Sequence, residues 1–75
     1  MNLTLWLQEK IGEELNLPAH EIPVDRTFEE LGLDSISLVS VTFDLEEKLG
    51  VSLDPVQIAE QNTIQKIVEG LAENS

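Results

Sequence analysis

The 75-residue chain has no cysteine, so no disulfide or thiolate metal site can hold its fold together. Bases are scarce as well, four against fifteen acids, which gives a formal charge of -11. Such an excess repels phosphate backbones and anionic lipid surfaces and favours partners with basic patches, which argues against nucleic acid as a ligand. Long apolar runs are also missing. No apolar stretch exceeds a few residues, against the roughly 20 a membrane helix needs, and the opening MNLTLWLQEK has neither a basic leader nor an apolar signal core. These features predict a cytoplasmic protein that does not enter the membrane. The length suits a single domain over residues 1–75 and is too short for a buried active site with its own supporting shells. A core of this size contributes no more than about 3–5 kcal/mol, so the fold must come from helix packing.

The apolar residues that are present recur at helical spacing. Leu3, Leu7, Ile11 and Leu15 fall at four-residue intervals with Trp6 beside them, predicting an amphipathic first helix over residues 3–16 that ends near Pro18. From Ser35 to Leu49 there is neither Gly nor Pro; Asp34 precedes this stretch as an N-cap. Gly50 follows it, where a helix carboxyl end favours a left-handed residue, so this is the second helix. Asp54 and Pro55 read as an N-cap and first helical position, with Gln57 completing a capping box, and a short third helix should end near Glu60. Asn62 and Thr63 can both cap a last amphipathic helix marked by Ile64, Ile67, Val68 and Leu71 and slightly weakened by Gly70. The fold class is therefore all-α, a four-helix bundle with three longer helices and one short one.

The connection between helices one and two, from Leu17 to Leu33, is long for a structureless loop in so small a domain. Ile22, Val24, Phe28, Leu31 and Leu33 can anchor it to the bundle, and Thr27 with Glu30 at capping-box spacing predicts one helical turn inside it. His20 lies here with no second metal ligand or nucleophile near it in sequence. It reads as an exposed loop residue.

Residues 31–37, Leu-Gly-Leu-Asp-Ser-Ile-Ser, mark where loop becomes helix, with Asp34 as N-cap and Ser35 in the first turn. A helix amino end presents unpaired N–H groups and the positive end of the dipole, so a phosphodiester on Ser35 would be tolerated there. A polar residue after a cap needs no such role, and the Asp-Ser pair alone does not decide between the two. The second helix adds a further signal, because its apolar residues are too many for one stripe. Leu38, Val41, Leu45 and Leu49 form a row that can face the core, while Ile36, Val39 and Phe43 form another, rotated away and beginning beside Ser35. If exposed, and ringed by Asp44, Glu46 and Glu47, that second row would make a docking face on which acids steer basic partners and the apolar residues grip them. Burial of the whole central helix is the alternative.

The anchor pattern Phe28-Glu29-Glu30-Leu31-Gly32, the Asp34-Ser35-Ile36 signature, Leu45-Glu46-Glu47, the short Pro55 helix and the Thr63-Ile64 start together resemble the acyl carrier protein family, over nearly the whole chain. The resemblance implies a four-helix bundle of acyl-carrier type. It implies that Ser35 is where a phosphopantetheinyl transferase attaches 4'-phosphopantetheine from coenzyme A, with Asp34 accompanying it in the signature. It also implies a carrier without catalytic residues, which holds acyl groups as thioesters on the arm and delivers them to acyl-loading, condensing or other acyl-processing enzymes. The absence of cysteine agrees, since the thiol belongs to the arm. Similar fatty-acid carriers are acidic in the first two turns of this helix, whereas Ser37 and Ser40 stand here. The chain thus looks closer to polyketide or mixed polyketide–peptide carriers, although it lacks the Gly-Gly before the signature common in peptidyl carriers. A monomer is expected, and its ends are compatible with either a separate protein or one domain of a larger one.

Two further classes find little support. A serine hydrolase needs a Gly-x-Ser-x-Gly turn and a histidine base, but Ser35 sits in Leu33-Asp34-Ser35-Ile36-Ser37 and His20 is the single histidine. No stretch has the alternating oxygen ligands and central Gly of a calcium loop. An unmodified helical interaction module using the Ile36, Val39 and Phe43 face remains open, as does a carrier for fatty-acid synthesis.

Overall fold

Asn2 opens the first helix by accepting the Leu5 N–H on its Oδ1 at 3.1 Å, and α1 runs over Leu3–Leu15. The computed structural model describes residues 2–73, of which 72 and 73 by backbone alone. The end of α1 is set by Asn16, left-handed at φ 58°, and so comes ahead of Pro18. Here the chain doubles back closely: Leu17 N–H donates to the Gly12 carbonyl at 2.9 Å, and a Cβ on Gly12 would run into the Leu17 carbonyl oxygen. Only glycine fits that crossing.

The long connection is held down throughout. It contains a 3₁₀ turn at Ala19–Glu21, where His20 is exposed, and a one-turn helix α2 at Phe28–Leu31. The expected capping box forms: Glu30 N–H donates to Thr27 Oγ1 at 3.1 Å and Thr27 N–H to Glu30 Oε1 at 3.0 Å. Gln8 of α1 donates its Nε2 to the Ile22 carbonyl at 2.7 Å, and Gln65 N–H reaches the Val24 carbonyl at 3.0 Å. Ile22, Phe28 and Leu33 are buried, so the segment contributes three anchors to the core while most of its polar residues stay exposed.

The central helix α3 covers Ser35–Leu49, with Asp34 and Gly50 as its caps. Its inner row behaves as the periodicity requires, with Leu38, Val41 and Leu45 buried and Leu49 half-buried. Thr42 is buried beside them, its hydroxyl satisfied by the Leu38 carbonyl at 2.8 Å. The short α4 spans Pro55–Gln61 and α5 Ile64–Glu73. Asp54 caps α4, but its carboxylate accepts the Val56 N–H at 2.9 Å and Gln57 completes no capping box: with Pro55 in the first position, the short Asp side chain closes on the second N–H instead. Thr63 caps α5 through the Lys66 N–H at 3.1 Å, whereas Asn62 serves as the left-handed end of α4 at φ 57°. Helix α1 packs on α3 and α5, and α4 bridges α3 and α5. Leu7 and Ile11 of α1, Leu45 of α3, Ile58 of α4, and Ile64 and Ile67 of α5 meet in one core, each contributing on the order of 1.5–3 kcal/mol by leaving water. This is the expected all-α bundle of three longer helices and one short one, with α2 as the single turn inside the connection. No described helix is long and apolar enough to cross a membrane.

Candidate functional site

Two buried anchors flank the loop-to-helix junction. Leu33, whose N–H donates to the Phe28 carbonyl at 2.9 Å, fixes the chain on the core just before the junction, and Leu38 fixes α3 just after it. Between them Asp34 stays extended at ψ 173°, and its Oδ1 accepts the Ser37 N–H at 2.7 Å. That bond, aided by the Ser37 hydroxyl, holds the Asp34 carboxyl below the ordinary carboxylate range. Ser35 is thereby placed as the first residue of α3, exposed at the positive end of the helix.

The second apolar row of α3 is exposed. Ile36 keeps 81% of its surface, Phe43 65% and Val39 38%. At 3.6 residues per turn these three fall within an arc of about 60°, on the side of α3 opposite Leu45. The acids divide around it. Glu47, exposed, lies just past Ile36 on one side of the row and Glu46, half-buried, just past Val39 on the other. Asp44 is turned towards α1, its carboxylate 4.0 Å from Lys10 Nζ, which also stands 5.6 Å over the Trp6 ring. The ring of acids expected around the row is therefore open on the Asp44 side. Val51 and Val56, which sequence reasoning did not single out, are also exposed, and no local pattern in the sequence marks them.

A groove of about 330 Å³ beside Ser35 is lined by Phe28, Leu33 and Leu38, by Ala59 of α4 and its cap Asn62, and on its polar side by Thr27, Glu29 and Asp34. Asn62 lines this groove, and its Oδ1 is buried with no hydrogen-bond donor. No group of three or more metal-ligating side chains occurs among the described residues.

An all-helical bundle that presents one serine at a helix amino end, beside an exposed apolar row, has the form of a carrier domain. The chain belongs to the phosphopantetheine attachment site family, whose model matches residues 5–71. It is 33% identical over 67 residues to the acyl carrier protein TtuC of Teredinibacter turnerae, covering 89% of this chain and 77% of that one. To the polyketide synthase PksM of Bacillus subtilis it is 31% identical over 70 residues, 93% of this chain. The chain spans only 2–4% of the length of the polyketide synthases it matches. In three dimensions it is similar to a free-standing peptidyl carrier protein from a secondary metabolic pathway of Acinetobacter baumannii, with a TM-score of 0.89 and 28% identity over 96% of this chain and 90% of that one. The family's cofactor is phosphopantetheine and its members carry acyl groups without catalysing the chemistry themselves. The structure suits that group: a serine exposed at a helix amino end offers a place for a phosphodiester, and Asn62, which lines the adjoining groove, has a buried acceptor without a donor.

Proposed function

We propose that Ser35 is the residue modified by a phosphopantetheinyl transferase, and that the chain, a single-domain cytoplasmic monomer, carries acyl intermediates of polyketide or related secondary-metabolite biosynthesis. The observation that carries the assignment is the exposed Ser35 at the first position of α3. Two other serines lie near. Ser37 is half-buried and its N–H is taken by Asp34, while Ser40 sits in the helix interior, where the backbone donors are already spent on the helix. Only Ser35 combines an exposed hydroxyl with the helix amino end.

When bound, the arm supplies a terminal thiol on which an acyl group is held as a thioester. The protein's own residues do the rest. Asp34 fixes the start of α3, so that the attachment point has one position and one orientation. Leu33 and Leu38 tie that point to the core, so the arm swings from a rigid base and raises the effective concentration of its cargo at each partner enzyme. Ile36, Val39 and Phe43 form the face a partner grips, with Glu46 and Glu47 steering basic surfaces towards it; Asp44 joins them only if it leaves Lys10. The pathway reading is supported by the secondary-metabolism relatives and by Ser37 and Ser40 standing where fatty-acid carriers place acids.

Intact-protein mass after incubation with coenzyme A, magnesium and a broad-specificity transferase tests the assignment. One added phosphopantetheinyl group, absent from a folded Ser35→Ala control, is the expected result. A folded chain that gains none would leave the unmodified interaction module as the better reading.

A further inference from the structure

The backbone of Asn62 is fully employed: its N–H donates to the Ile58 carbonyl at 3.3 Å, and its carbonyl accepts the Phe28 N–H at 2.9 Å. Its left-handed conformation at φ 57° suits Asn and disfavours a branched residue. It does not explain the side chain. A glycine would close α4 equally well, and Asn16, which closes α1 in the same conformation, is exposed. At Asn62 the Oδ1 is instead buried without a donor, a costly arrangement that folded chains avoid unless something discharges it. The groove beside it leads to Ser35.

We propose that the Asn62 side-chain amide binds an amide of the phosphopantetheine arm when the arm lies back along this groove, with Oδ1 accepting the arm's N–H. Asn62 is then a positioning residue for the arm between deliveries. The inference rests on Ser35 being the attachment site. The arm contains two secondary amides, each with one donor and one acceptor, and an Asn side chain can meet such a group on both counts. Between the phosphate and the amides the arm has two geminal methyl groups, for which Phe28, Leu33, Leu38 and Ala59 provide apolar contact. The groove, about 330 Å³, lies at the small end of the range of roughly 300–1,000 Å³ for ligand sites, so it shelters part of the arm and not its full length with cargo. A hydrogen bond of this kind contributes modestly on balance, so it biases the arm towards the groove without preventing its departure to a partner.

The test uses the full chain loaded with an arm whose amide nitrogens are ¹⁵N-labelled, after mass spectrometry has shown one arm on Ser35. The Asn62 side-chain NH₂ resonances should move between the unmodified and loaded protein. One arm amide proton should exchange with solvent about fivefold more slowly than in loaded Asn62→Gly. Asn62→Gly keeps the left-handed backbone, and the comparison within the natural sequence needs no variant at all. Unmoved Asn62 resonances together with equal exchange rates, in a chain shown to hold the arm on Ser35, would overturn the Asn62 assignment alone. A folded chain that accepts no arm on Ser35 would overturn both readings.

Discussion

The Ser37 N–H donates to the Asp34 carboxylate at 2.7 Å, and this bond fixes the first residue of α3 as Ser35. The Asp34 side chain is exposed and is not part of the apolar core. Its contribution is the cap itself. Asp34→Ala should therefore cost about 1 kcal/mol, read as a fall in melting temperature of roughly 4–8 °C in a domain this small. Asp34→Asn, which can still accept the N–H, should lose much less. Equal losses in the two variants would contradict a capping role.

A pH dependence follows from the same bond. The Ser37 N–H holds the Asp34 carboxyl below the ordinary carboxylate range, and the Thr27 backbone N–H does the same for Glu30 in the capping box of α2. Both groups are more acidic folded than unfolded. The stability they add is complete above the ordinary carboxylate range and is lost as pH falls through and below that range. Denaturant midpoints should therefore fall in acid more steeply for the natural chain than for Asp34→Asn combined with Glu30→Gln, which keeps both caps but cannot titrate. Parallel pH profiles would contradict this.

The helix boundaries show how unevenly structure can be read from a sequence. Ser35–Leu49 was legible at both ends because Asp34 and Gly50 are each strong local signals and the stretch between them is free of Gly and Pro. The capping residues around α4 were less so. Asn62 has the composition of an N-cap and stands just before the last helix, yet its φ of 57° makes it the end of α4, a distinction only the backbone can make. Gln57 had the right spacing for a capping box, but the Asp54 carboxylate closed on the nearer Val56 N–H. Gly70 reads in sequence as a weak point of the last helix. In three dimensions a Cβ there would come within 2.6 Å of Gln61 Nε2, so the glycine leaves space in which the Gln61 side chain lies. At the site, Ser35, Asp34 and the apolar row were legible because they lie within one helix. The groove and the exposed Val56 were not, because they depend on how α4 lies against α3, and no local pattern encodes that pairing.

The exposed row on α3 separates binding from folding. Phe43→Ala and Ile36→Ala remove little buried area, so each should leave stability within about 0.5 kcal/mol of the natural chain. The same face should matter to partners. We expect at least a fivefold weaker interaction with an acyl-processing enzyme for Phe43→Ala, the size of a moderate hot spot. Val41→Ala, on the buried row at nearly the opposite side of the helix, should reverse the pattern by costing stability. Thermal unfolding beside a titration of partner binding checks both halves. Unchanged binding by the Phe43 variant would remove this face from the docking surface.

Charge predicts how those complexes respond to salt. With a formal charge of -11, and with Glu46 and Glu47 beside the apolar row, association with a basic partner should slow as ionic strength rises, and affinity should fall with it. Partner affinity that does not change between low and high salt would count against electrostatic steering.

The central claim is the identity of the modified residue, and fragment mapping of the transferase-treated chain by tandem mass spectrometry tests it most directly. The account predicts the phosphopantetheinyl group on Ser35 alone, with Ser37 and Ser40 unmodified in the same peptide, and a Ser35→Ala chain that folds but stays bare. An arm found on Ser37 or Ser40, or retained by the Ser35→Ala chain, would contradict it.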